Sequence, residues 1–296
     1  MRPEMKTIRA VDGISFTVER GDTIACIGPN GAGKSTAIKV LTGILMRTAG
    51  HVRVLGVDPA EEREQLAYRI GTVFGQRSQL HFNLPVRDSF ELFGAIYHLS
   101  RAQTMKRMKE LVMLFELEEV LDQPVRKLSL GQRMRAEIAV ALIHNPELIF
   151  LDEPTIGLDV VAKRKLRQTL QALNRDRGTT IFLTSHDTGD IEALCERTLV
   201  INHGRVILDT RTEDLRRLYL TTKDIRIDAV EEAKPFRMAG VTTTKREGSL
   251  LQLRVDTKRA SLNEVLTRLL EQYPIEDMDV QPASLEEVIE LIYDRG

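Results

Sequence analysis

Cysteine, net charge and long apolar runs are all scarce in this chain, and each scarcity narrows what it can be. Among 296 residues only Cys26 and Cys195 are cysteines. Far apart and in no metal-ligand spacing, they argue against a disulfide scaffold and read as small core residues of a protein in a reducing compartment. Charge of one sign is not in excess, since 42 Lys and Arg face 43 Asp and Glu for a formal −1. Nothing long-range therefore draws the chain to nucleic acid or to an anionic membrane surface. Apolar stretches such as residues 111–115 and 138–143 are much shorter than the ~20 residues of a spanning helix. The start, Met1-Arg2-Pro3-Glu4-Met5-Lys6, is charged with no apolar block behind it and does not read as a signal peptide. No repeat or low-complexity tract is visible. These absences lead to the expectation of a cytosolic protein unless a partner holds it at a membrane.

What is present is a globular composition, 42% hydrophobic and 29% charged, with room for one large domain or two unequal ones. The charge is unevenly spread. Residues 221–296 hold 15 acidic and 11 basic side chains, a net −4, which leaves +3 for the first 220. Up to about residue 210, short apolar runs alternate with helical stretches, as in an α/β sheet with crossovers. Residues 14–18 and 23–27 read as strands joined by a Gly21-Asp22 turn. Residues 147–151 and 179–183 are continuous apolar or β-branched runs, the mark of strands buried on both faces. Between residues 86 and 125, Phe90, Phe93, Ile96 and Tyr97, then Met105, Met108, Leu111, Val112 and Phe115 fall at helical spacings and predict an all-helical insertion. Beyond Leu215, strands at 225–227 and 251–255 and helices at 261–272 and 284–293 predict a small α+β domain. Ser261 with Glu264 and Ser284 with Glu287 match the S-x-x-E capping box. The expected division is 1–215 and 216–296, with a helical subdomain at about 77–130.

The first chemical motif is Gly28-Pro29-Asn30-Gly31-Ala32-Gly33-Lys34-Ser35-Thr36, which fits G-x-x-x-x-G-K-[ST] between a strand and a helical run over residues 36–45. Its glycines let backbone N–H groups turn toward phosphate oxygens, and the helix start adds partial positive charge. Lys34 would reach the β- and γ-phosphates and Ser35 would ligate Mg²⁺. A second motif, Leu148-Ile149-Phe150-Leu151-Asp152-Glu153, is a buried strand ending in two carboxylates at the edge where open α/β sheets present ligands. Adjacent acids there are costly unless a cation or water separates them from the phosphates. Asp152 suits Mg²⁺, through water, and Glu153 suits polarising an attacking water.

Leu128-Ser129-Leu130-Gly131-Gln132 opens a helix expected to reach His144. Ser129 and Gln132 form a capping box, and the same helix start is an anion site. Here the sequence resembles the nucleotide-binding subunit of ABC transporters, whose signature LSGGQ stands in this chain as LSLGQ, with Leu130 in place of a glycine. The other marks follow in the family's order: the phosphate loop, a Q-loop glutamine in Val73-Phe74-Gly75-Gln76, the signature, the acidic strand, a D-loop at Gly157-Leu158-Asp159, and a switch histidine in Thr184-Ser185-His186-Asp187. The resemblance covers roughly residues 10–210. The segments at 75–80 and 202–204 and the C-terminal extension look most like the daunorubicin-resistance, multidrug-export branch.

The resemblance implies an α/β P-loop ATPase core with an antiparallel β subdomain and a helical subdomain, plus the small C-terminal domain. It implies ATP and Mg²⁺ as cofactors, with Ser35, Asp152 and Gln76 near the metal and Lys34, Gln76, Glu153 and His186 at the chemistry. It also implies that two copies pack head to tail, so that ATP on one phosphate loop meets Ser129, Gly131 and Gln132 of the other, with Asp159 at the interface. The implied place is the cytoplasmic face of the membrane, held there by a separate integral permease. Leu80, Phe82 and Leu84 are expected to receive that partner, and substrate choice would belong to it. The chain departs from the pattern in lacking an aromatic before Phe16 to stack on adenine. Phe16 itself reads as core, so either the true start lies upstream or adenine is loosely held. The basic run Lys163-Arg164-Lys165 is expected to be a solvated face without nucleic acid. The competing readings are a soluble ABC ATPase acting on ribosomes or DNA and a regulatory P-loop module. The first lacks the second cassette, coiled coil or zinc cysteines that mark it, and an intact Glu153 and His186 weigh against the second.

Overall fold

The computed structural model describes residues 9–75, 78–219, 222–282, 289 and 292. The chain divides between Thr212 and Glu213 into two compact units.

In the first unit, β1 (Thr23–Ile27), β2 (Ile70–Phe74), β3 (Leu148–Asp152), β4 (Thr180–Thr184), β5 (Arg197–Asn202) and β6 (Arg205–Arg211) form one sheet in the order β2-β3-β4-β1-β5-β6. All neighbours are parallel except β6 on β5. The strands expected from continuous apolar runs are buried, apart from the half-buried Asp152 at the end of β3, as a parallel sheet covered on both faces requires. The β5–β6 hairpin turns at His203 and Gly204, both at positive φ (46° and 75°), the backbone of a two-residue primed turn. Its Gly204 N–H donates to the Ala32 carbonyl, and its carbonyl accepts from Asp12 N–H, so the hairpin tip supports the loop after β1.

The helices are α1 (Lys34–Leu41), α2 (Arg63–Ala67), α3 (Val86–Ile96), α4 (Arg101–Leu114), α5 (Leu130–Ala141), α6 (Val160–Arg177) and α7 (Thr188–Leu194), with α8 (Thr212–Tyr219) following β6; α1, α2, α5 and α7 lie against the strands, and α3 and α4 pack on each other and on α5. The expected helical insertion is α3 and α4, whose buried Phe90, Met108, Leu111 and Val112 lie at helical spacing. Two helices end earlier than their apolar pattern suggests. After α1, Gly43 adopts φ +70°; after α5, Asn145 adopts φ 56° ahead of Pro146.

One strand assignment is corrected. Residues 14–18 alternate like a strand but lie outside the sheet, because no described segment offers them a ladder partner. They are held instead by side chains: Ile14, Phe16 and Val18 pack on the core under the sheet, and Arg197 donates to the Thr17 carbonyl. Phe16 stacks on Phe182 at 5.9 Å, which makes it core rather than an adenine platform. Beside this segment an open cleft of about 570 Å³ runs past Val52, Leu55 and Phe182, and no phosphate-loop residue lines it. Val54 and Val57 form only an isolated bridge.

The second unit is a four-stranded antiparallel sheet, order β10-β7-β9-β8, from β7 (Thr222–Ala229), β8 (Val241–Glu247), β9 (Leu250–Asp256) and β10 (Ile275–Pro282). Alternate residues Ile225, Ile227, Leu251, Leu253 and Val255 face Val265 and Leu269 of α9 (Leu262–Gln272). The capping box expected at Ser261 does not form: Ser261 is the N-cap residue, but its side chain accepts no N–H. The second box, Ser284 with Glu287, and the last helix lie outside the described residues apart from the buried Ile289 and Ile292.

Phe182 lies between Phe16 and Phe150, with ring centroids 5.9 and 5.6 Å away. Phe182→Ala should cost about 3–5 kcal/mol in urea unfolding. A loss under about 1 kcal/mol would show that these ring contacts do not hold the core together.

Candidate active site

The site forms where β1, β3 and β4 end side by side. Parallel register sets Cys26 beside Thr184 and Asp152 beside the same Thr184. The loops leaving these three strands therefore share one edge of the sheet. From β1 comes the phosphate loop. A Cβ at Gly28 would fall inside the contact distance of the Ile201 carbonyl oxygen, and Gly33, at φ +107°, is the N-cap of α1 with no side-chain cap. The first N–H groups of α1, those of Lys34, Ser35 and Thr36, are thus left uncapped by any side chain, as an anion cradle needs.

Lys34 is buried and its ammonium donates to the carbonyls of Gly28 (2.7 Å) and Pro29 (3.2 Å). It also lies 3.3 Å from His186 Nε2. Burial pulls the Lys34 pKa below its ordinary value, against the opposing pull of Glu153 and Asp152. Ser35 Oγ donates to Asp152 Oδ1 at 3.2 Å, and Thr184 Oγ1 donates to the same oxygen at 2.6 Å. This pairing of a hydroxyl with a carboxylate is an all-oxygen donor set, which fits a hard divalent ion that completes its shell with water and phosphate.

Glu153 sits at φ +55°, a left-handed conformation costly for a side chain of its size, and its N–H is held by Thr184. Its Oε2 accepts from the His186 backbone N–H at 3.3 Å. Oε1 lies 3.2 Å from His186 Nε2 yet makes no hydrogen bond, so one buried carboxylate oxygen is left without a protein donor. Burial raises the Glu153 pKa, while Lys34 and the His186 N–H act to lower it. The His186 pKa is lowered, first by burial and then by the Lys34 charge. A neutral imidazole results at pH 7, with Nε2 able to accept from Lys34.

The remaining expected residues gather elsewhere. Ser129 and Gln132 close a reciprocal capping box on α5, with bonds of 2.9 and 3.2 Å. Asp159 caps α6 through Ala162 N–H. These two helix starts touch: a Cβ at Gly131 would meet Ala162, and one at Gly157 would stand 2.9 Å from Leu130 Cδ2. The leucine that replaces a glycine in LSLGQ thus covers Gly157. Ser129, Leu130, Asp159 and Val160 are exposed there. Gln76 lies outside the described residues. Leu80 is buried, which corrects its expected role in receiving a partner, whereas Phe82 and Leu84 are exposed. Sequence reasoning missed Thr184, which joins Asp152 to Glu153; its only sequence signal is a hydroxyl at the end of an apolar strand.

Gly28→Ala should weaken ATP binding about ten-fold or more, because the added methyl forces the loop off the Ile201 carbonyl. Fluorescent-nucleotide titration of the folded variant checks this, and unchanged affinity would show that the loop does not hold phosphate.

Residues 11–156 match the family model described as ABC transporter, and residues 211–288 match the C-terminal domain of the ATP-binding protein DrrA1-3-like family. The daunorubicin resistance ATP-binding protein DrrA3 of Streptomyces coeruleorubidus is 35% identical over 263 residues, covering 89% of this chain and 80% of that one. The ABC transporter ATP-binding protein NatA of Bacillus subtilis is 32% identical, covering 73% and 91%. Among solved structures, the dimeric ATP-binding cassette MJ0796 bound to ADP and Pi after hydrolysis superposes with a TM-score of 0.65 at 27% identity, over 72% of this chain and 94% of that one. With the phosphate loop, the paired carboxylates and the histidine on one sheet edge, the chain belongs to the ATP-binding subunits of ABC transporters and is an ATPase of that family.

Proposed function

We propose that this ATPase powers an exporter, working as a head-to-tail pair of identical chains on a separate membrane permease. The observation that carries the hydrolytic part is the free Oε1 of Glu153, a buried acceptor beside His186 and Lys34. In this reading Lys34 and the first N–H groups of α1 hold the β- and γ-phosphates. Ser35 and Asp152 would hold Mg²⁺, which neutralises phosphate charge. Glu153 orients the attacking water and takes its proton, and neutral His186 stays within reach of the γ-phosphate. Phosphoryl transfer asks for positioning and charge neutralisation more than covalent chemistry, and these groups supply both.

The second copy follows from what the site lacks on its own chain. Ser129 and Gly131 sit at a helix start packed on the D-loop, with Ser129 and Leu130 exposed, and in this reading they serve a nucleotide held by another copy. Export of a drug-like substrate is supported by relatives named for daunorubicin resistance that are similar over both units. No described helix is long and apolar enough to cross a membrane, in keeping with a permease on another chain. Exposed Phe82 and Leu84, before α3, and Leu92 and Ile96 on it, form the surface offered to that partner.

Glu153→Gln should bind MgATP, cease to hydrolyse it and accumulate as a dimer in light scattering. A monomeric variant at saturating MgATP would contradict the paired reading. For the wild-type chain, kcat/KM should fall on acidification along a limb whose midpoint lies above the usual ~4.3 of a glutamate, because the basic form of Glu153 is lost through its raised pKa. A limb at or below that value would contradict Glu153 as the base.

A further inference from the structure

Asp190, on α7, is fully buried, and the hydrolytic scheme makes no use of it. Its Oδ2 accepts from the hydroxyl of Thr155 and from that of Ser185 at 2.8 Å, and its Oδ1 accepts from Arg167 Nε at 2.7 Å. Each donor comes from an element that carries one working residue. Thr155 is two residues past Glu153, Ser185 directly precedes His186, and Arg167 lies on α6, which Asp159 caps. A second carboxylate extends the joint, for Asp187 accepts from Arg167 Nη2 at 2.9 Å and from Lys163 Nζ, while its own N–H donates to Ser185 Oγ at 3.0 Å.

A buried carboxylate paired with a partly buried guanidinium gains little net stability over apolar side chains of the same size, since desolvation offsets their attraction. The arrangement therefore calls for another reason. An ion pair alone would need only Arg167. Here two hydroxyls from two separate loops converge on a single oxygen, which fixes residue 155 relative to residue 185 and so the carboxylate of Glu153 relative to His186. Glu153 also holds a strained backbone, which persists only where its surroundings over-determine it.

We propose that Asp190 is a positioning residue whose buried carboxylate clamps the loops of Glu153 and His186 to the D-loop helix. Through this clamp, occupation of the exposed D-loop by a second copy reaches the hydrolytic pair. The inference rests on the reading of Glu153 as the hydrolytic base.

The test uses Thr155→Val in the full chain, which keeps the shape and leaves the Arg167 pair intact, with Thr155→Ser as the conservative variant and Asp190→Asn as the severe one. Thr155→Val should lower kcat about ten- to hundred-fold with the KM for MgATP within about two-fold of wild type, and Thr155→Ser should recover most of the loss. Asp190→Asn, where folded by thermal unfolding, should show the same split. Wild-type kcat in Thr155→Val, with only a lowered Tm, would overturn the clamp and leave a structural ion pair. Hydrolysis retained in Glu153→Gln would instead remove the reading beneath it, and the clamp with it.

Discussion

Parallel register between β1, β3 and β4 is the constraint from which the site follows. With Thr184 level with both Cys26 and Asp152, the strands end in step. A slip of one residue would turn every side chain of a strand to the other face. Lys34, Asp152, Glu153 and His186 come from the ends of three strands that are far apart in sequence, and the register brings those ends to one edge of the sheet.

The cluster so formed is charged and partly buried, and its electrostatics are balanced within the chain. Burial pushes Lys34 and His186 toward their neutral forms and Glu153 toward its protonated form, while the charges of Lys34 and Glu153 each oppose the other's shift. A nucleotide and its metal ion would enter a place already organised for opposite charges. The hydroxyls of Thr184, Thr155 and Ser185 give this polar interior its order. Each bonds a carboxylate, and each sits within two residues of a group in the hydrolytic scheme.

Much of this was legible in the sequence, and the reasons are local. The strands β1, β3 and β4 announce themselves as short continuous apolar runs, and the phosphate loop is one contiguous motif whose spacing encodes its backbone. The acids and the histidine stand directly after strands, so their place at the sheet edge follows from the strands. What could not be read depends on distant partners. Residues 14–18 have the alternation of a strand, but pairing needs a neighbour that sequence spacing does not supply. Ser261 has the capping pattern without the bond, because a cap also requires the side chain to turn toward its own helix. Leu80 reads as a partner contact beside Phe82 and Leu84, yet it is interior. Asp190 carries no motif at all, since its meaning lies in three donors that meet only after folding.

The departure at Leu130 belongs to the same picture. Lying over Gly157, it joins the signature helix to the D-loop in one chain, so both would answer together when a second copy approaches. The central claim is that each working site takes its phosphate loop and carboxylates from one copy and its signature from the other. Mixing two inactive full-length chains, Lys34→Ala and Ser129→Arg, tests it directly. In mixed pairs one site joins an intact phosphate loop to an intact signature, so MgATP hydrolysis should reappear on mixing. If each variant alone and the mixture are equally inactive, or if Ser129→Arg alone hydrolyses ATP like the wild type, the composite site is contradicted.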